Sequence, residues 1–109
     1  MRRGGLTRSE IKRTLSSGKR LVGGRVVLFV TPVPGEVRAA FVAGRRVGMA
    51  VQRNRARRVL REAWRRIAPS VRAGTGVVVV ARKDFLPART QELETEMRQS
   101  LAAAGLLEA

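Results

Sequence analysis

The sequence predicts an α+β fold: a two-layer sandwich of about four strands and three helices in the order α-β-β-β-α-β-α, in one domain spanning residues 1–109. Three observations predict it. A helix-capping signature opens the chain at Thr7 and Glu10. Two runs of β-branched residues, Arg25–Thr31 and Val77–Ala81, read as strands. Two further stretches, beginning near Arg53 and near Thr90, repeat apolar residues at helical spacing.

Taken in order, Thr7 and Glu10 have capping-box spacing, and Leu6 with Ile11 matches a hydrophobic staple. A short helix is expected from Arg8 to Ser16, stopping at Gly18, with Ile11 and Leu15 on one face. Residues 17–24 contain Gly18, Gly23 and Gly24 among basic residues and read as a flexible loop. Arg25–Thr31 is the first strand, Pro32–Gly35 a turn, and Val37–Ala43 a second strand, which together suggest a hairpin. Gly44–Gln52 reads as a third short strand feeding a helix that Pro69 ends. Val77–Ala81 is apolar without alternation, as expected of a central strand buried on both faces. Phe85–Pro87 reads as a loop, and Thr90 as the cap of a last helix. Leu93, Met97, Leu101 and Ala104 form that helix's buried stripe, with Glu92, Glu94 and Glu96 placed on its outer face.

The segment Arg53–Arg66 organises the chain. It carries seven arginines and one acid, Glu62. On a helical wheel Ala56, Val59, Leu60, Ala63, Trp64 and Ile67 fall on one side. Asn54, Arg58, Arg61 and Arg65 line another, Arg55 and Arg66 lie further round, and Arg57 is near the seam. Small Ala56 and Ala63 suit packing on a sheet, and Trp64 beside Leu60 belongs to the core. Asn54 is also placed to cap the helix. Guanidinium groups match phosphate oxygens bidentately and give up hydration more readily than ammonium.

The whole chain has 23 basic residues, eight acids and a formal charge of +15. Half of the acids lie after Arg89, whereas Arg98 is the one basic residue there. A folded chain with this field binds a polyanion or repels itself. Cysteine and histidine are absent, which removes disulfides, thiolate chemistry, zinc knuckles and the commonest general base. The acids are too scattered to hold two catalytic cations about 4 Å apart, and no phosphate-loop or dinucleotide fingerprint is present. The chain therefore reads as a binder without a catalytic centre, and as binding no cofactor through a motif of its own. No apolar run approaches about 18 residues, and the N-terminus lacks a signal-peptide core, so a cytoplasmic protein without membrane association is expected.

Gly44-Arg45-Arg46-Val47-Gly48-Met49-Ala50-Val51-Gln52-Arg53-Asn54-Arg55-Ala56-Arg57-Arg58-Val59-Leu60-Arg61-Glu62 resembles the signature of the bacterial ribonuclease P protein component. In that family a basic pair and Gly-x-Ala-Val precede Arg-Asn-Arg-x-Lys/Arg-Arg and Arg-Glu or Arg-Gln. The capped first helix, Phe29 late in a strand, and the Ala81-Arg82-Lys83 strand end extend the likeness along the chain. The resemblance implies a ribosomal-protein-like fold with a left-handed β-α-β crossover, an exception to the usual hand.

The resemblance also implies a function. The holoenzyme would be an endoribonuclease that removes the 5′ leader of precursor tRNA, with one catalytic RNA and one protein expected. Magnesium would act in the RNA subunit's catalytic centre, and the protein alone would cut nothing. Arg53, Asn54, Arg55, Arg57, Arg58, Arg61 and Arg65 would bind that RNA. A cleft with Ile11, Leu15 and Phe29, and with Arg45 and Arg46 nearby, would hold the leader. The family often has aromatics at the positions of Ile11 and Leu15, and stacking is worth about 1–3 kcal/mol per base. Leader binding here would then rely on Phe29 and charge, although core packing is an alternative role for all three apolar residues. Met49 stands where the family commonly has Asn, and Gly44 where it commonly has Ser. Two other classes share the charge: a structural ribosomal protein, and a DNA-binding protein with the arginine helix in the major groove. An almost all-arginine face is a backbone-binding profile rather than a base-reading one.

Overall fold

The computed structural model describes residues 5–83 and 89–108, and the loop expected over Phe85–Pro87 lies outside them. Helix α1 (Arg8–Ser17) starts as the capping signature predicts. The Thr7 hydroxyl accepts from the Glu10 N–H, and the Glu10 carboxylate accepts from the Thr7 N–H at 2.8 Å. It ends at Gly18, whose N–H reaches the Thr14 carbonyl at 2.8 Å. A Cβ on Gly18 would stand 2.5 Å from that carbonyl oxygen, so the tight exit into the next strand needs glycine.

The strands are β1 (Lys19–Val22), β2 (Val26–Pro32), β3 (Arg38–Ala43) and β4 (Thr75–Ala81), arranged β1-β2-β4-β3. The β1-β2 and β2-β4 pairs are antiparallel, and the β3-β4 pair is parallel. Helix α2 (Ala50–Ile67) makes the crossover from β3 to β4, and α3 (Thr90–Ala103) closes the chain.

The predicted element order is observed, yet two of its segments trade places. The stretch expected to be a flexible loop forms β1. Leu21 packs toward the core while Arg20 and Val22 stay exposed, an alternation that charge and flanking glycines obscured. The stretch expected as a third strand, Gly44–Gln52, is instead a 3₁₀ turn (Arg45–Val47) followed by the first residues of α2. The expected hairpin is absent as well, because β4 lies between β2 and β3. The reason is burial. Val77, Val78 and Val79 have no exposed surface, and a strand apolar on both faces gains most where it has a neighbour on each side.

Cross-strand register sorts the sheet into two faces. Val26, Leu28, Ala39, Ala43, Val77 and Val79 face α2 and α3 and form the core with Leu60, Ile67, Leu93, Met97 and Leu101. Each fully buried aliphatic side chain there contributes about 1.5–3 kcal/mol. On the other face, rows such as Arg20–Phe29–Val78–Ala40 run across the strands. Helix α1 crosses this face over β2 and β4 and leaves part of it open.

Helix α3 departs from expectation at both ends and along its polar side. Thr90 is its first residue rather than its cap, and the Arg89 N–H donates to the Glu92 carboxylate at 3.2 Å. Ala104 is a half-buried terminal residue rather than part of the stripe. Glu92, Glu94 and Glu96 do not form a solvent-facing acidic side. Glu94 pairs with Arg98 at 3.1 Å and Arg66 at 3.6 Å, and Glu92 lies 3.8 Å from Arg25. Glu96 turns inward, its Oε1 accepting the backbone N–H groups of Arg25 at 2.7 Å and Val26 at 3.0 Å. Replacing Glu96 by Ala leaves those donors at the start of β2 without their partner. Urea unfolding should show a loss of about 1–3 kcal/mol, whereas an unchanged midpoint would remove Glu96 from this role.

Candidate nucleic-acid interface

The arginine face begins with a cap built from the sequence signature itself. Gly48 adopts a φ of 146°, a region that side chains avoid. The Gln52 side chain folds back to accept the Met49 N–H at 2.6 Å. A Cβ on Gly48 would come within 2.1 Å of that Gln52 oxygen, so the Gly and Gln of the signature form one device. The helix therefore starts at Ala50, before Arg53. Asn54 lies past the first turn and does not cap; its side-chain oxygen accepts from Arg57.

Burial then separates the two sides of α2. Ala56, Leu60, Ala63 and Ile67 have no exposed surface and Trp64 is 7% exposed, with Val59 at the margin. Asn54, Arg55, Arg58, Arg61, Arg65 and Arg66 are exposed, and Arg53 and Arg57 are half-buried. Two of the arginines are engaged by carboxylates: Arg65 with Glu62 at 2.5 Å and Arg66 with Glu94. Exposed pairs of this kind are worth about 0–1 kcal/mol, a weak competitor for a phosphate. Among the described residues Arg53, Arg55 and Arg58 make no ion pair. The Arg65 guanidinium also holds Glu62 below the ordinary carboxylate range, so the one acid on this face stays ionised.

A second surface lies on the α1 side of the sheet. Phe29 is half-buried there, between Arg20 on β1 and Val78 on β4 in the cross-strand row. Leu15 on α1 is 38% exposed, and Ile11 one turn earlier is half-buried beside Arg38 and Ala40. Arg45 and Arg46 are exposed in the turn after β3, at the sheet end bounded by the Val22–Val27–Val80–Val42 row. Phe29 lies in a middle row of the sheet, two rows from the Val22–Val27–Val80–Val42 row, and β4 stands between its strand and the one that leads into the arginine pair.

The family pattern of Ribonuclease P matches residues 6–105. The chain belongs to the ribonuclease P protein family. A ribonuclease P protein component from Symbiobacterium thermophilum is 46% identical over 71 residues, covering 65% of this chain and 62% of that relative. One from Dehalococcoides mccartyi is 34% identical over 101 residues, covering 92% of this chain and 82% of the relative. The fold is similar to the Staphylococcus aureus RNase P protein, with a TM-score of 0.82 at 16% identity over 98% of this chain and all of the other. The Thermotoga maritima RNase P protein superposes with a TM-score of 0.74 at 23% identity, over 84% of this chain and 88% of its own length. Membership in the ribonuclease P family sets aside the ribosomal and DNA-binding alternatives.

Two residues that sequence reasoning passed over shape the interface. Arg38 on β3 grips Glu10 with both guanidinium arms, at 2.7 and 3.1 Å, and ties α1 to the sheet edge. Phe41 on the same strand lies under Arg61, whose guanidinium carbon is 5.6 Å from the ring centre. No local spacing signals either contact, since both cross between distant elements. The Thr7 N–H first, and then the Arg38 guanidinium, lower the Glu10 carboxyl from 4.5 to about 2. Because the folded-state value is the lower one, the linked stability is present above about pH 4.5 and disappears as pH falls toward 2. Melting curves of wild type and Glu10→Gln should therefore differ at pH 5 and converge near pH 2. A gap that stays constant with pH would remove Glu10 as a titrating anchor.

Proposed function

We propose that this chain is the protein subunit of a cytoplasmic ribonuclease P that removes the 5′ leader from precursor tRNA. The polypeptide binds and positions RNA, and one catalytic RNA per protein supplies the chemistry with magnesium. The observation that carries this reading is the sidedness of α2: its apolar stripe is sealed in the core while five of the arginines between Arg53 and Arg66 are exposed. Arg53, Asn54, Arg55, Arg57, Arg58, Arg61 and Arg65 form the proposed contact with the RNA subunit's phosphates. Ile11, Leu15 and Phe29 hold the leader, with Arg45 and Arg46 at the end of the sheet taking its phosphates. The acids support the division of labour. Glu10 is committed to Arg38 and the Thr7 N–H, and Glu96 to two backbone N–H groups, which leaves them poor ligands for catalytic metal.

Reconstitution tests the assignment. Added to a bacterial ribonuclease P RNA at low magnesium, the chain should speed cleavage of precursor tRNA at the leader junction. Incubated alone with precursor, it should release nothing; cleavage by protein alone would overturn the placement of chemistry in the RNA.

Variants separate the two surfaces. Replacing Arg58, Arg61 and Arg65 by Ala should weaken affinity for the catalytic RNA and flatten its salt dependence, by about 0.7–0.9 of a log–log slope unit per lost phosphate contact. Phe29→Ala should leave that affinity intact and erase the holoenzyme's preference for precursor over mature tRNA. Identical effects of both changes on both binding events would contradict a two-surface protein.

A further inference from the structure

A broad depression lies between the two surfaces and borrows from both, Ile11 from one and Arg61 and Arg65 from the other. It is a groove of about 1340 Å³ that wraps the outer edge of β3, walled by α1 on one side and α2 on the other. Among the described residues one bridge, Gly5 to Ala39, covers that edge, so β3 is otherwise unpaired beyond Ala39. Phe41 lies half-buried at the α2 wall with the Arg61 guanidinium over its ring. Arg65 and the edge of Trp64 continue the same wall. Arg38 is committed to Glu10, and Glu36 and Glu108 are the acids that line the groove.

We propose that this groove is a single-stranded RNA subsite in which one unstacked base lies against the Phe41–Arg61 pair. Aromatic rings and guanidinium planes are both stacking platforms for bases, and guanidinium also neutralises the adjoining phosphate. Arg61 and Arg65 belong to the exposed face of α2, so a strand leaving that face reaches the groove along arginine side chains. The volume exceeds the about 300–1,000 Å³ of ordinary small-molecule pockets, which favours a chain segment over a metabolite. Charge favours RNA over a peptide or a second copy of this protein, whose net charge of +15 opposes docking against two arginines. The subsite rests on the function proposed above: it shares Arg61 and Arg65 with the proposed RNA-subunit contact and adds Phe41, which neither surface assigned above includes.

Photocrosslinking of the full chain to an oligouridylate carrying 4-thiouridine tests it, alongside affinity for that oligonucleotide and for an abasic analogue of equal length. Crosslinks are expected on the peptide containing Phe41. Phe41→Leu should cost about tenfold in affinity for the base-bearing strand and leave the abasic strand unaffected. Arg61→Lys keeps the charge on an exposed site, so it remains informative if Phe41→Leu fails to fold; it should weaken the base-bearing strand selectively. Equal losses for both strands, or crosslinks confined to other peptides, would overturn the proposal. Crosslinking at Phe41 that vanishes in Phe29→Leu would make the groove an extension of the leader surface and overturn it as a separate subsite. A protein dimer dissolved by Phe41→Leu with oligonucleotide binding intact would assign the groove to a second copy.

Discussion

The rest of the structure depends on how α2 is seated against the sheet. Ala56 and Ala63 let the helix approach closely, while Leu60, Trp64 and Ile67 fill the space beside them with almost no exposed surface. Rotating the helix to bury an arginine would take a charge out of water with no described acid waiting for it, at a cost of several kcal/mol. The apolar stripe thus fixes the outward direction of every guanidinium. The same seating lets α2 bridge β3 to β4, which places its N-terminal cap at the end of the sheet where Arg45 and Arg46 emerge.

Acidic residues are few, and their placement explains how so basic a chain folds. Glu10 secures α1, Glu96 binds the start of β2, and Glu94 links α3 to Arg66 of α2. Each is spent on holding an element in place rather than on the open arginine face. The positive field over Arg53, Arg55 and Arg58 is left uncompensated among the described residues. A polyanion is the natural complement of that field, because releasing its counterions rewards every contact.

The two surfaces and the edge groove are neighbours through β3. That strand carries Arg38 to α1, Phe41 to α2, and runs directly into the turn with Arg45 and Arg46. It pairs in parallel with β4, its outer edge is bridged among the described residues at Ala39, and it stands between the proposed leader side of the sheet and the arginine helix. In this ribonuclease P protein an edge strand therefore connects the proposed interfaces, where an ordinary domain would blunt it.

Local chemistry was legible in the residues themselves. The Thr7–Glu10 capping box, the apolar and basic sides of α2, and the double-sided burial of β4 follow from spacing, because each depends on neighbours within a few residues or on periodicity alone. Trp64 in the core and the stripe Leu93, Met97 and Leu101 follow for the same reason. Residues 19–22 and 44–52 are not legible locally, because a four-residue edge strand is defined by its partner, and a glycine-flanked apolar run takes its shape from the Gly48–Gln52 cap. Strand order, the absence of the hairpin, the inward turn of Glu96, and the meetings of Arg38 with Glu10 and Phe41 with Arg61 were decided by tertiary structure. These pairings join segments far apart in the chain, and competition for burial, which no single segment records, selects among them.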